Sequence, residues 1–213
     1  MADTHETDQQ LDDRLRKGDE QALAELFSKQ RERLWRIVNF RLDDRLRGRI
    51  DPDDVLQEAY LAAVQRLVHY RDGTYTVPFL WLRAILKQTL IDLHRRHVGA
   101  QRRAVDRDVA LDATPYAQAS ATSMAITLIG NLTSPSQAAA RAEMVNTVEK
   151  AMTTMDAIDQ EVLALRHFEE LSNSEVAVVL GIEQKAASIR YVRAVRRLKD
   201  ILAEVSGLAS SGG

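Results

Sequence analysis

Cysteine is missing altogether from this 213-residue chain, which excludes disulfides, thiol nucleophiles and cysteine zinc sites and is the usage expected in a reducing compartment. Aromatic residues make up only 5%. No apolar run is long enough to span a bilayer, and the polar, acidic first residues do not read as a secretory signal. The expectation is a soluble, cytoplasmic protein without membrane association. Catalytic patterns are absent too: the chain contains no GxxxxGK[ST], GxGxxG, GxSxG or HExxH. His94 and His97 stand three apart among Arg95 and Arg96 without a third ligand, and read as a surface or phosphate-facing pair. No catalytic residue, metal or cofactor is expected, and the chain does not read as an enzyme.

What is present is a core-forming apolar fraction of 45% and a net charge of -2 that averages over segments of opposite sign. Residues 1–30 and 51–58 are acid-rich. Residues 83–107 and 185–199 are basic, the first through Arg83, Lys87, Arg95, Arg96, Arg102, Arg103 and Arg107. Two separate basic segments imply two contacts with a polyanion, and the acidic ones suit a basic protein surface.

Helical spacing dominates, and no stretch alternates cleanly at period two, so the fold class is all-α. A first helix near 8–17 ends at Gly18, and Asp19 caps a second carrying Leu23, Leu26, Phe27, Leu34, Ile37 and Val38. Asp51 at N-cap and Pro52 at N1 start a third, where orphan N–H groups and the helix dipole favour them. Leu56, Tyr60, Ala63 and Leu67 form its inner stripe, opposite Asp54, Gln57, Glu58 and Leu61. The segment 69–77 reads as a loop. A helix follows from Phe79 to about Val98, in which Trp81 reads as core. From 106 to 140 the amphipathic pattern fails. That stretch is expected to be a linker with a short helical piece near 123–130.

The most informative stretch is LSNSEVAVVLGIEQKAASIRYVRAVRRL, Leu171 to Leu198. Ser172 and Glu175 form an S-x-x-E capping box, Gly181 sits where the first helix must turn, and Val176, Val179, Leu180 and Ile182 can pack two helices together. This is a helix-turn-helix. On the second helix Ala187, Tyr191, Val195, Leu198 and Leu202 should face inward, while Arg190, Arg193 and Arg197 share a side at i, i+3, i+7. No acid between 184 and 199 offsets that charge, which favours phosphate contact.

In their order and spacing these segments resemble the extracytoplasmic-function group of sigma factors, within the sigma-70 superfamily. DPDDVLQEAYLAAV (51–64) is similar to sigma region 2, whose D-x-x-D-x-x-Q-E pattern falls here on Asp51, Asp54, Gln57 and Glu58. FLWLRAILKQTLIDLHRRH (79–97) is similar to the minus-ten helix, and DQEVLALRHFEELSNSEVAVVLGI, from Asp159, to the start of region 4. The 133–143 stretch TSPSQAAARAE resembles a planctomycete-like subset.

The resemblance implies an alternative sigma factor that binds core RNA polymerase, at the β′ clamp and β flap, and promoter DNA. It also brings an anti-sigma factor as a further partner. The polymerase-binding candidates are Asp51, Asp54, Gln57, Glu58 and Leu61, with capping the main role of Asp51. The minus-ten candidates are Arg83, Lys87, Arg95 and Arg96 for phosphates, Gln88 for a base edge and Tyr75 for stacking on an unpaired base. The minus-thirty-five candidates are Lys185, Ala186, Ser188, Ile189, Arg190, Arg193 and Arg197.

Here the chain departs from the family's usual G-T-V-K-S-R. Only Arg190 matches a polar position, and Ala186 and Ile189 would offer apolar contacts to thymine methyls. The implied organisation is a region 2-like domain at 1–105, a linker at 106–140, a region 4-like helix-turn-helix domain at 141–206 and a disordered tail at 207–213. The competing reading is a conventional helix-turn-helix regulator with an N-terminal effector or dimerisation domain, which should bind duplex DNA unaided.

Overall fold

The computed structural model describes residues 8–42, 46, 48–70, 75, 77–102, 114–130 and 138–210. Among them run nine α-helices, and the fold is all-α as expected. They group into two compact units, residues 1–108 and 109–213.

In the first unit, α1 (Asp8–Arg16) buries Leu11 and Leu15. It gives way to α2 (Glu20–Arg41) across Gly18, whose φ of 81° is left-handed backbone that glycine adopts without steric cost. Asp19 caps α2 by accepting from the N–H groups of Gln21 (2.9 Å) and Ala22 (3.3 Å). The same carboxylate takes the Arg14 Nε–H at 2.7 Å, fixing α1 to the start of α2.

Asp51 starts α3 (Pro52–Tyr70) by accepting from the Asp53 N–H at 2.9 Å. Val55, Leu56, Ala59, Ala63 and Leu67 form its buried stripe; Tyr60, expected among them, is half-buried at the rim, edge-on to Phe27 at 5.1 Å. α4 (Pro78–Arg102) continues four residues past the expected end and packs on both α2 and α3. Trp81 is buried, as expected, its ring 4.8 Å from that of Tyr70.

The second unit differs from expectation where a linker was anticipated. Residues 114–130 form one 17-residue helix, α5 (Thr114–Gly130), which packs on α6 (Ala138–Thr153) and α7 (Ala157–Leu163). Ala121, Met124, Ala125 and Ile129 are buried on it at helical spacing. The sequence hid α5 because it carries no charged residue and its polar and apolar residues are mixed: Ser123 is buried while Ile126 and Leu128 are half-buried, so burial produces almost no contrast between faces. Of the other linker residues, 106–113 and 131–137 lie outside the described set.

After α7 the chain makes a π-helical turn over Ala164–Phe168. It closes with Glu169 N–H donating to the Ala164 carbonyl (3.1 Å) and Leu171 N–H to that of Leu165 (2.9 Å). Glu170 takes a left-handed φ of 55° at the exit. Then come α8 (Asn173–Leu180) and α9 (Gln184–Ser210). α9 runs into the expected tail as far as Ser210; 211–213 lie outside the described residues.

The inner face of α9 is a correction as well. Among its residues of described burial, 184–203, those fully buried are Ala187, Ala194 and Ile201, with Tyr191, Leu198 and Leu202 half-buried, while Val195 is 37% exposed. Two alanines let α9 approach α6, α7 and α8 closely, so the small residue, and not its larger neighbour, takes the inner position. No helix among the described residues is long and apolar enough to cross a membrane.

Candidate partner and nucleic-acid interfaces

In the first unit, α3 presents the acidic face. Asp54 and Gln57 are exposed, and Leu61 is 60% exposed on the same side. Asp51 is engaged in capping, and neighbouring Asp53 pairs with Arg31 of α2 at 2.7 Å. Glu58 is half-buried and its carboxylate pairs with the Arg96 guanidinium of α4, so a residue expected to meet protein stands against one expected to meet DNA. Sequence reading missed Val68, 58% exposed one heptad beyond Leu61. Extending the i+7 spacing from Leu61 would have found it.

α4 divides its basic residues between inside and outside. Arg95 and Arg96 are exposed and Lys87 is half-buried. Arg83 is 3% exposed, which corrects its assignment as a phosphate contact, because a guanidinium turned into the domain does not reach a backbone phosphate. Gln88 donates its amide to Asp92 Oδ1 at 2.9 Å, a bond within α4 that a base edge would have to displace. Tyr75, before α4, is half-buried, and its carbonyl accepts from Arg16 Nη2 at 3.2 Å.

Arg16 belongs to a cluster that the sequence did not signal. Its Nε–H donates to Asp12 at 2.9 Å, the same Asp12 accepts from the Tyr70 hydroxyl, and the guanidinium lies 5.3 Å from the Tyr70 ring centre. Burial and the hydrogen bond to Asp12 push the Tyr70 phenol well above its ordinary range. α1 thereby contacts both Tyr70 and the backbone of Tyr75.

The helix-turn-helix is built as its residues dictate. Ser172 Oγ accepts from the Glu175 N–H (3.2 Å), and Glu175 Oε2 accepts from the Ser172 N–H (2.6 Å), which completes the capping box. Gly181 closes α8 at φ 62°, and Ile182 N–H donates back to the Ala177 carbonyl at 3.0 Å. Asn173 bridges the motif, its Nδ2 donating to the Gln184 carbonyl (3.1 Å) and to Ser188 Oγ (2.7 Å). Ser188 in turn donates to the Gln184 carbonyl at 3.1 Å, so its hydroxyl holds the motif together.

On α9, Lys185 and Arg197 are exposed, Ile189 is 60% exposed and Ala186 is half-buried. Arg196 and Lys199 are exposed too. Arg190 and Arg193 do meet an offsetting acid, which comes from α7. Asp159, 7% exposed at its side chain, accepts from Arg190 Nη1 at 3.1 Å and from Arg193 Nε at 2.6 Å. Burial alone would raise the Asp159 carboxyl; the hydrogen bonds from Arg193 and Arg190 outweigh it and hold the group below its ordinary range. The pairings span 31 and 34 residues, beyond any local pattern. Among the described residues no group of three or more His, Asp or Glu is placed to hold a metal ion.

A family model described as "ECF sigma factor" matches residues 7–201. The chain is 30% identical over 184 residues to the ECF RNA polymerase sigma factor SigD of Mycobacterium tuberculosis, covering 86% of this chain and 78% of the relative. It is 29% identical over 194 residues to the RNA polymerase sigma-H factor of Pseudomonas aeruginosa, with 90% and 91% covered. Among solved structures, that of CnrH in complex with the cytosolic domain of CnrY matches with a TM-score of 0.53 at 22% identity, over 93% of this chain and 99% of that one. That likeness is one of fold.

Proposed function

The chain belongs to the ECF sigma factor family, and on that premise we propose which of its surfaces perform the family's work. It is an alternative sigma factor that binds core RNA polymerase and promoter DNA and directs transcription initiation. The exposed side of α3, Asp54, Gln57 and Leu61 with Glu58 at its edge, docks on polymerase at the β′ clamp. Arg95, Arg96 and Lys87 hold the minus-ten backbone, with Tyr75 stacking on an unpaired base. α9 lies against the minus-thirty-five duplex through Lys185, Arg197 and Ile189, with Arg190 and Arg193 at its edge, and the β flap meets the same helical domain. The protein works in the cytoplasm and its role is recognition, with no catalytic step of its own. An anti-sigma factor is its proposed inhibitory partner.

The observation that carries this assignment is the Glu58–Arg96 pair, which sets the acidic face of α3 beside the cationic end of α4. A single short surface thereby offers carboxylates to a protein and guanidiniums to a nucleic acid, as a factor held between polymerase and DNA requires. Reconstitution tests it. Core polymerase supplied with this protein should acquire transcripts with defined start sites that the core alone does not make, read by sequencing their 5′ ends. A protein that binds duplex DNA tightly alone and leaves the core's transcripts unchanged would be a conventional regulator instead.

A further inference from the structure

Part of the positive charge on α9 is already met inside its own domain, by two acids that differ in kind. Asp159 lies deep and is held by Arg190 and Arg193; removing either partner would leave charge uncompensated away from water. Asp156, 56% exposed at its side chain, stands at the rim, 3.7 Å from Arg190 Nη1 and 3.5 Å from Arg193 Nη2. An exposed pair at that separation contributes little to stability. Asp156 is nonetheless fixed in place, because it is the N-cap of α7 and accepts from the Ile158 N–H at 3.2 Å. An oxygen anion held beside two guanidiniums at the edge of a DNA-facing helix occupies the position a backbone phosphate would take.

We propose that Asp156 is an affinity-setting residue of the DNA-reading domain, its carboxylate standing in for a backbone phosphate against Arg190 and Arg193, so that both cations meet duplex DNA already partly neutralised. This rests on the reading of α9 as the duplex-facing helix. Its consequence is a domain that grips DNA more weakly, and with a shallower salt dependence, than its arginine count implies. Promoter engagement then depends on polymerase holding the domain in place, and stray duplex competes less.

The test uses the full-length chain and a fluorescein-labelled mixed-sequence duplex of about 25 base pairs, followed by anisotropy from about 50 to 200 mM salt. Asp156→Asn removes the charge and keeps a cap of equal quality, and Asp156→Ser, a second good cap, must reproduce its effect. Both should bind roughly 3- to 10-fold tighter at low salt, and the slope of log affinity against log salt should steepen by about one, the increment for one added phosphate contact. Glu143→Gln on α6 makes the same change of net charge at another exposed position. If it matches Asp156→Asn, only net charge matters and the proposal fails. Arg197→Ala should weaken binding. If it does so while both Asp156 variants behave as wild type, the proposal fails and the DNA-facing role of α9 stands; if Arg197→Ala changes nothing, that role is what fails.

Discussion

Glu58 on α3 pairs with Arg96 on α4, 38 residues further along the chain. Both side chains are about half exposed, at 44% and 57%, so the pair contributes at most about 1 kcal/mol to stability. The packing of α3 on α4 fixes the relative position of the two helices, and the pair marks where two surfaces with different partners meet.

Polymerase binding should therefore be separable from folding. Asp54→Arg combined with Glu58→Arg should abolish co-elution with core polymerase while shifting the melting temperature by only a few degrees, in keeping with a loss of about 1 kcal/mol. Native-affinity co-elution of the double variant would refute the assignment of α3.

The two kinds of arginine on α4 should respond in opposite ways. Arg83→Ala removes a buried guanidinium and should destabilise the first unit by about 2 kcal/mol or more, seen in urea melts. Arg95→Ala should leave the melt unchanged and reduce promoter-dependent transcription, with the deficit narrowing as salt rises because one phosphate contact fewer makes the salt dependence shallower.

Asp159 gives the helix-turn-helix unit an acid-sensitive element. Its folded-state carboxyl lies below the ordinary value of 3.8, so the stabilisation is fully present above that value and disappears as pH falls through the depressed folded one. Asp159→Asn should cost about 1–3 kcal/mol at neutral pH, and the gap between variant and wild type should close below about pH 4. A gap that persists unchanged into strong acid would show that the charge on Asp159 does not supply the stability.

Met124, fully buried on α5, distinguishes a packed helix from a tether. Met124→Ala should destabilise the second unit by about 2–5 kcal/mol, measured by urea unfolding of the full chain. A neutral result would return 114–130 to the role of linker.

The parts of the fold that could be read in advance are those whose causes lie within a few residues: the cap at Asp19, the Asp51–Pro52 start, the Ser172–Glu175 box and the turn at Gly181. Each satisfies orphan N–H groups or a left-handed backbone locally, and each stands where the residue types put it. Periodicity also placed Trp81 inside. It failed for α5, whose Thr, Ser and Ala blur the difference between faces, and at Val195, where hydropathy pointed inward but close helix approach required Ala194. Residue type marked Arg83, Arg190 and Arg193 as cations without telling which of them the protein itself would occupy. That depends on Asp159 and on burial, both set by tertiary contact.

The alanines at 187 and 194 on the inner side of α9 act as mechanical stops. With nothing beyond Cβ to adjust, the helix axis has one resting height above α6, α7 and α8, and a bulkier residue at either position would lift the whole rod outward. Side chains on the far side, such as Lys185, Ile189 and Arg196, then project from a datum that does not move when they are exchanged. The outward set can thus be rewritten residue by residue, each change altering what is touched and leaving unaltered the depth to which the helix reaches.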